Sequence, residues 1–331
     1  MFQRNFSKLA ILSTCILAVI LWVGSNSFFQ SASLAQSAAP PNVSKIVTDE
    51  YIGSEACKDC HEVQFKNFSH TAHAKVASAV SWKNKVTGCE SCHGPGKAHA
   101  AEGDPTKIKS PAKMKPQEVN ADCQTCHAQM NEHAMWRGSK HESAGLSCLN
   151  CHSAHSKSAA ANPAQLFAGL QSETKMLKQR TEAETCFQCH GDMRKAQFQR
   201  STHLFRNEDR EGRITCSQCH EPHGSIGPKM MRAGNLNETC YACHMEKRGP
   251  FLWEHSPSRE NCMTCHKPHG SNNTNLLIAR APMLCQQCHI QGRHQTIPAR
   301  PNSGFVMSRA CLNCHSQVHG SNHPSGINLQ R

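Results

Sequence analysis

Cys216-Ser217-Gln218-Cys219-His220-Glu221-Pro222-His223-Gly224-Ser225 and, further along, Cys262-Met263-Thr264-Cys265-His266-Lys267-Pro268-His269-Gly270-Ser271 are two copies of one pattern. Each opens with cysteine, two residues, cysteine and histidine. That opening occurs ten times: at Cys57-Cys60-His61, Cys89-Cys92-His93, Cys123-Cys126-His127, Cys148-Cys151-His152, Cys186-Cys189-His190, Cys216-Cys219-His220, Cys240-Cys243-His244, Cys262-Cys265-His266, Cys285-Cys288-His289 and Cys311-Cys314-His315. The copies take twenty of the 21 cysteines and leave only Cys15. The spacing suits covalent attachment of haem c: two thiols add across the two porphyrin vinyl groups, and the next histidine falls under the iron as proximal ligand. A zinc array built from cysteine pairs would not need histidine after every second cysteine, and a redox dithiol would not recur ten times. Ten covalently bound haems c are expected, and no disulfide framework.

This expectation explains the composition. Over 331 residues only 38% are apolar and 5% aromatic, thin material for a conventional core. Roughly thirty residues serve each haem, so the porphyrins would be the interior and the polypeptide a coat. The predicted fold is a multihaem cytochrome c, mostly irregular with short α-helices, with little or no β-sheet and a core of stacked haems. The formal charge of +12 would alone suggest an anionic partner. Ten haems, however, bring about 20 propionate charges, so the basic side chains are read as propionate partners and no nucleic acid is expected.

Residues 1–35 read as an export signal that is cleaved. Arg4 and Lys8 form the positive start, Leu9 to Val23 is apolar apart from Ser13 and Thr14, and Ser33-Leu34-Ala35 is a small-residue cleavage site. The apolar run is short for a membrane span, and Cys15 leaves with it. Residues 36–331 then form the decahaem domain, built from five consecutive two-haem repeats, exported to a periplasm.

Thirteen histidines stand outside the motifs. In each repeat one lies between the two motifs and another follows the second, which selects His73 and His99, His141 and His155, His203 and His223, His255 and His269, and His294 and His319 as distal iron ligands. His70, His133 and His323 are surplus, with His70 the alternative to His73 and His323 the alternative to His319; which distal histidine serves which iron is not read from the sequence. His155, His223 and His269, three residues beyond a proximal histidine, are expected to serve a neighbouring haem, because so short a tether cannot grip both faces of one ring. With ten histidines available, methionine ligation is unnecessary, and Met176, Met193, Met230 and Met231 read as packing residues. Locally, each motif is predicted to open or sit on a short helix. Residues 94–120 read as loop, Ser172 to Thr185 as a helix, 36–50 as a flexible start, and 156–185 as a connector between groups of four and six haems. Thr274 to Ile278 is too isolated for sheet.

The strings Cys240-Tyr241-Ala242-Cys243-His244, Glu246-Lys247-Arg248-Gly249-Pro250, Leu252-Trp253-Glu254-His255 and Cys285-Gln286-Gln287-Cys288-His289 are far more specific than the haem motif alone. So is Cys311-Leu312-Asn313-Cys314-His315-Ser316-Gln317-Val318-His319-Gly320-Ser321-Asn322-His323-Pro324. On these the chain resembles the periplasmic decahaem cytochromes of the MtrA/DmsE type, which include MtrA- and MtoA-like members of metal-reducing and iron-oxidising bacteria. The resemblance covers the region after the signal and is looser in its first half. It implies a file of bis-histidine haems threaded through an outer-membrane β-barrel porin. It also implies periplasmic and inner-membrane c-type cytochromes as partners, an outer-surface multihaem cytochrome as a cap, and a periplasmic location at the outer membrane. Ten large rings in a file would outreach a bilayer of about 40–45 Å.

The leading expectation is electron transfer across the outer membrane, in extracellular metal reduction or Fe(II) oxidation, by a protein that is not an enzyme. A soluble shuttle or storage cytochrome would use the same haems. A multihaem reductase would need one open coordination position, and no motif here has its histidine replaced by lysine. An anchored quinol oxidase would need Leu9 to Val23 as a span.

Overall fold

Helix formation is tied to the attachment motifs. A computed structural model of the chain describes residues 49–77, 86–128, 130–155, 176–179, 181–203, 214–290 and 311–330. The expected signal at 1–35, residues 36–48, 156–175 and His294 lie outside the described residues. Everything described belongs to one unit, Asn42–Arg331. Its helices are short: the longest described is Pro116–His127, at 12 residues. Among the described residues there is no β-sheet, only isolated bridges such as His152 with Leu177, His220 with Met231 and His266 with Leu277. The expected helix-poor, sheet-free architecture is what the structure shows.

The two motifs of a repeat fold differently. The first cysteine of each repeat lies inside a helix or at its end: Glu55–Lys58, Pro116–His127, Glu182–Phe187, Leu236–Tyr241 and Ala281–Gln286. The second motif opens a short helix or 3-10 turn instead: Cys89–His93, Cys148–Cys151, Cys216–Cys219, Cys262–Thr264 and Cys311–Asn313. Helix starts carry capping residues. Thr181 accepts from Glu184 N and Asn235 from Glu238 N, satisfying amides that have no partner within the helix.

A polar side chain on the first helix ties the two motifs together. Asn120 Oδ1 accepts from Cys148 N at 2.9 Å, Asn237 Oδ1 from Cys262 N at 3.0 Å, Ser54 Oγ from Cys89 N at 3.0 Å, and Glu182 from Ser217 N at 2.6 Å. After the second motif the chain returns to bracket it. Glu221 N bonds Met230 O and Arg232 N bonds Cys219 O; Lys267 with Leu276, and Ile278 with Cys265, do the same; so do Ser153 with Met176, and Lys178 with Cys151. The return needs left-handed residues at Met176, Lys229, Met230, Asn275 and Leu276.

Two local expectations are corrected. Residues 94–120 are not simply loop: they hold the helix Lys97–Glu102, 3-10 turns at Pro105–Lys107 and Pro111–Lys113, and the start of Pro116–His127. Pro105, Pro111 and Pro116 sit in first turns, where their missing N–H costs nothing, and Glu118 Oε2 accepts from Lys115 N to close the last start. Ser172 to Thr185 is not one helix either. Leu177 is bridged to His152 and the helix begins only at Glu182, because the bracket around the fourth motif takes residues 176–178.

The apolar interior is small. Among the described residues only Val86, Val119, Trp136, Ala196, Met231 and Tyr241 are buried apolar side chains, while Phe198, Ile226, Leu252 and Ile290 are bare.

Candidate haem centres

The motif closes one helical turn. His61, His152, His190, His220, His244, His266, His289 and His315 each donate their backbone N–H to the carbonyl of the cysteine four residues earlier, at 2.9–3.0 Å. This brings both cysteines and the histidine to one short stretch of backbone. The twenty motif cysteines form no disulfide and are partly or fully exposed.

The histidines meet in twos. Ring centroids lie 6.2 Å apart for His61 and His99, 6.0 Å for His93 and His155, 5.9 Å for His127 and His73, and 6.0 Å for His152 and His223. The series continues with His190 and His141 at 6.3 Å, His220 and His269 at 5.9 Å, His244 and His203 at 6.4 Å, His266 and His319 at 6.1 Å, and His289 and His255 at 6.2 Å. Two metal–nitrogen bonds of about 2 Å plus two imidazole half-widths of about 1.1 Å place centroids about 6.2 Å apart, the spacing of two rings sharing one iron. The residues therefore fit the group that the motifs imply. Among the described residues no group of three or more His, Cys, Asp or Glu gathers around one point. His315 is described, but His294, its remaining candidate partner, is not. Of the surplus histidines, His70 ends the helix Glu62–Ser69, and His323 Nδ1 accepts from Ser325 N. His133 wedges 5.4 Å from His127 and 4.3 Å from His223, too close to His223 to share an iron with it.

Eight of the described rings are oriented through Nδ1 by a backbone carbonyl. His93 donates to Lys109 O at 2.8 Å, His220 to Lys229 O at 3.0 Å, His266 to Asn275 O at 2.9 Å and His315 to Asn328 O at 2.6 Å. His99 donates to Asp104 O, His141 to Pro222 O, His203 to Pro268 O and His255 to Val318 O, at 2.8–2.9 Å. A carbonyl on Nδ1 sets the tautomer that leaves Nε2 for a metal and makes it more basic. Burial holds His73, His127, His155, His223, His269 and His319 below the ordinary imidazole range, keeping them neutral, the ligating form.

The contacts run across repeats. His73, His141, His203 and His255 each stand against the first proximal histidine of the next repeat; His155, His223, His269 and His319 face the second proximal histidine of a different repeat from their own, the preceding one. His61 and His99 close within one repeat. Motifs also meet in chain order. Within each repeat the first cysteines of the two motifs lie near enough to perturb each other's thiol: Cys57 and Cys89, Cys123 and Cys148, Cys186 and Cys216, Cys240 and Cys262, and Cys285 and Cys311. Cys92 and Cys123, Cys151 and Cys189, Cys219 and Cys243, and Cys265 and Cys288 sense each other between repeats. Burial, with Cys89 beside it, pushes the Cys57 thiol up to about 11; a thioether at the same sulfur has no proton to titrate.

Sequence reasoning missed the orienting carbonyls and the pinning side chains. Ser54, Asn120 and Asn237 all stand three residues before the first cysteine of a repeat, a signal that aligning the repeats would have exposed. The carbonyls carry no side-chain signature.

Comparison with known proteins agrees with this geometry. A doubled CXXCH motif family matches residues 209–249 and 255–294, and a family described as cytochrome c554 and c-prime matches residues 56–87. The multiheme cytochrome MtrA of Shewanella baltica (strain OS185) is 39% identical over 294 residues, covering 84% of this chain and 81% of that protein. With this likeness extending over most of both chains, the protein belongs to the MtrA family of multihaem c-type cytochromes, electron-transfer proteins that bind haem c and are not enzymes.

Proposed function

We propose that the chain is a ten-haem electron wire working inside an outer-membrane porin, between periplasmic carriers and the cell exterior. The observation that carries the reading is the set of nine histidine pairs at 5.9–6.4 Å. On this reading the twenty motif cysteines hold the porphyrins, and His61, His93, His127, His152, His190, His220, His244, His266, His289 and His315 are proximal ligands. The distal ligands are His99, His155, His73, His223, His141, His269, His203, His319, His255 and His294 in the same order, the last by elimination.

When bound, each haem supplies a one-electron couple. The chain's own residues would do the rest: two histidines at each site would saturate the axial positions, so that no substrate enters. The chain-order contacts of the motif cysteines support a wire whose attachment sites follow one another as they do in sequence. Among the described residues no helix is long and apolar enough to cross a membrane, so passage through the bilayer would rest on a barrel partner. A 1–35 export signal, a periplasmic site at the outer membrane and periplasmic, inner-membrane and outer-surface cytochrome partners belong to the same proposal. The direction of flow, to an extracellular metal oxide or from ferrous iron, follows the potentials of those partners.

Two measurements test this. Iron counted per purified chain, with low-temperature EPR and near-infrared magnetic dichroism, should give ten low-spin bis-histidine haems; a high-spin centre, or one that takes up nitrite, would move a reductase forward. Affinity purification from solubilised outer membrane should bring a β-barrel with the chain. Recovery of the full decahaem chain alone, in the soluble fraction, would favour a periplasmic shuttle.

A further inference from the structure

The paired rings differ in their twist. In the second site of each of the first four repeats the planes are close to parallel: 5° for His93 with His155, 19° for His152 with His223, 21° for His220 with His269 and 15° for His266 with His319. The first sites of the first and last repeats are also near parallel, at 23° for His61 with His99 and 25° for His289 with His255. In the first sites of the three middle repeats they cross, at 68° for His127 with His73, 54° for His190 with His141 and 41° for His244 with His203. Parallel imidazoles donate π density into the same iron orbital, raise it and ease loss of its electron. Crossed imidazoles spread that donation over two orbitals, so the reduced state is relatively favoured.

The site with the largest crossing is also the one whose proximal ring has an unusual neighbour. His127 Nδ1 lies 2.9 Å from Met130 Sδ, whereas the second-motif histidines His93, His220, His266 and His315 have a backbone carbonyl there and the first-motif His244 has the Glu246 carboxylate at 3.7 Å. A thioether is a weak acceptor, so it adds little basicity to the ligating nitrogen. The next site carries the opposite environment: the carboxylate of Glu221 stands 3.3 Å from His223 Nδ1 without a hydrogen bond between them, with Arg232 Nη2 3.7 Å away on its other oxygen, and the ring planes are nearly parallel. A carboxylate at that distance attracts the ferric centre through space and favours the oxidised state, with Arg232 offsetting part of the effect.

We propose that the second repeat contains a built-in potential step: the His127/His73 site is the highest-potential centre of the wire and the His152/His223 site one of the lowest, with Met130 and Glu221 as the positioning residues that set the step. An electron entering the oxidised protein from its donor would come to rest at the His127 site. The step rests on the bis-histidine reading above.

The test is EPR-monitored redox titration of the full haem-loaded protein. Crossed planes give a highly anisotropic low-spin signal, distinct from the rhombic signal of parallel planes. The expected result is that the most anisotropic signal disappears first on reduction. Met130→Gln, which offers a carbonyl oxygen to His127, should lower the first-reduced centre and leave the others unmoved; Glu221→Gln should raise one of the last-reduced rhombic centres. Rhombic signals vanishing first, or a Met130→Gln protein with full haem content whose first-reduced centre does not shift, would overturn the proposal. If Met130→Gln fails to mature, the native titration alone still decides the order. Fewer than ten low-spin haems in the native protein would instead defeat the ligation reading itself, so the two failures are distinguishable.

Discussion

Asn237 shows how much one side chain carries where apolar packing is scarce. It is buried, its Oδ1 accepts from Cys262 N at 3.0 Å and its Nδ2 donates to Arg259 O at 2.8 Å. Asn237→Ala removes both bonds and leaves a buried amide without its acceptor, at a cost of about 1–3 kcal/mol. The expected outcome is a thermal midpoint lowered by several degrees, followed at the haem absorbance, with all haems still attached. Asn120, bonded to Cys148 N and Leu146 O in the same way, should behave alike. At the ligands, His99 is the clearest single test, because its partner His61 lies in its own repeat. His99→Ala should convert one low-spin haem to high-spin, with a site that binds carbon monoxide when reduced. Ten low-spin haems in that variant would reject the pair. The candidate histidines could be named from the sequence because a ligand is a residue type at a spacing, and the structure brings nine pairs of them to 5.9–6.4 Å. The choice of Met130 as the neighbour of His127 was not, because nothing in the spacing of a methionine says which ring nitrogen it will meet.

The elements are held together by the loop after each second motif. Gly224 has φ +115°, and a Cβ there would fall on the Met135 carbonyl. The same loop offers Pro222 O to His141 and carries His223 to the ring of His152. Gly224→Ala meets both the clash and a backbone region that costs about 1–2 kcal/mol for a residue with a Cβ. The expected outcome is disturbance of two centres, those of His190 and His152, seen as new high-spin signal or lowered haem occupancy. Loss confined to one centre would argue against the loop as a shared clamp. The repeated Cys-His-x-Pro-His-Gly-Ser string marked the histidine that reaches a neighbouring site. The loop's return path did not announce itself: the left-handed residues at Lys229, Met230, Asn275 and Leu276 are not glycines. The sequence likewise suggested loop across 94–120, because Pro and Lys are as much first-turn residues as loop residues, and only the capping geometry distinguishes them.

At the scale of the molecule, the described residues enclose too little apolar surface to hold themselves together. Among the described residues none of the large side chains is fully enclosed, and Phe198, Ile226 and Ile290 are more than 80% exposed. At about 25 cal/mol per Å² buried, so sparse a core cannot offset the conformational entropy of ordering the chain at about 1–2 kcal/mol per residue. Porphyrin faces would supply the missing apolar contact, coupling cofactor attachment to folding as metal binding is coupled in small metalloproteins. The chain produced without haem attachment should therefore lack a cooperative thermal transition and be cut rapidly by protease. A protease-resistant apo chain would show that the polypeptide folds alone. The ligand contacts between repeats add that repeats should not mature independently in the middle of the chain, since their histidine pairs are completed by neighbours.

The sequence by itself determined the chemistry. Ten Cys-x-x-Cys-His units specify covalent haem because thiol spacing and the adjacent histidine are local, covalent facts that need no fold. It also supplied the low apolar content that demands a non-peptide core, and the family strings. Only the tertiary structure decided which histidine faces which, how far each pair of rings is twisted, and what lies against each Nδ1. Those are relations between residues as far apart as His141 and Pro222, or His255 and Val318. They depend on how backbone loops of successive repeats pack, and backbone carbonyls carry no residue identity for a sequence to display.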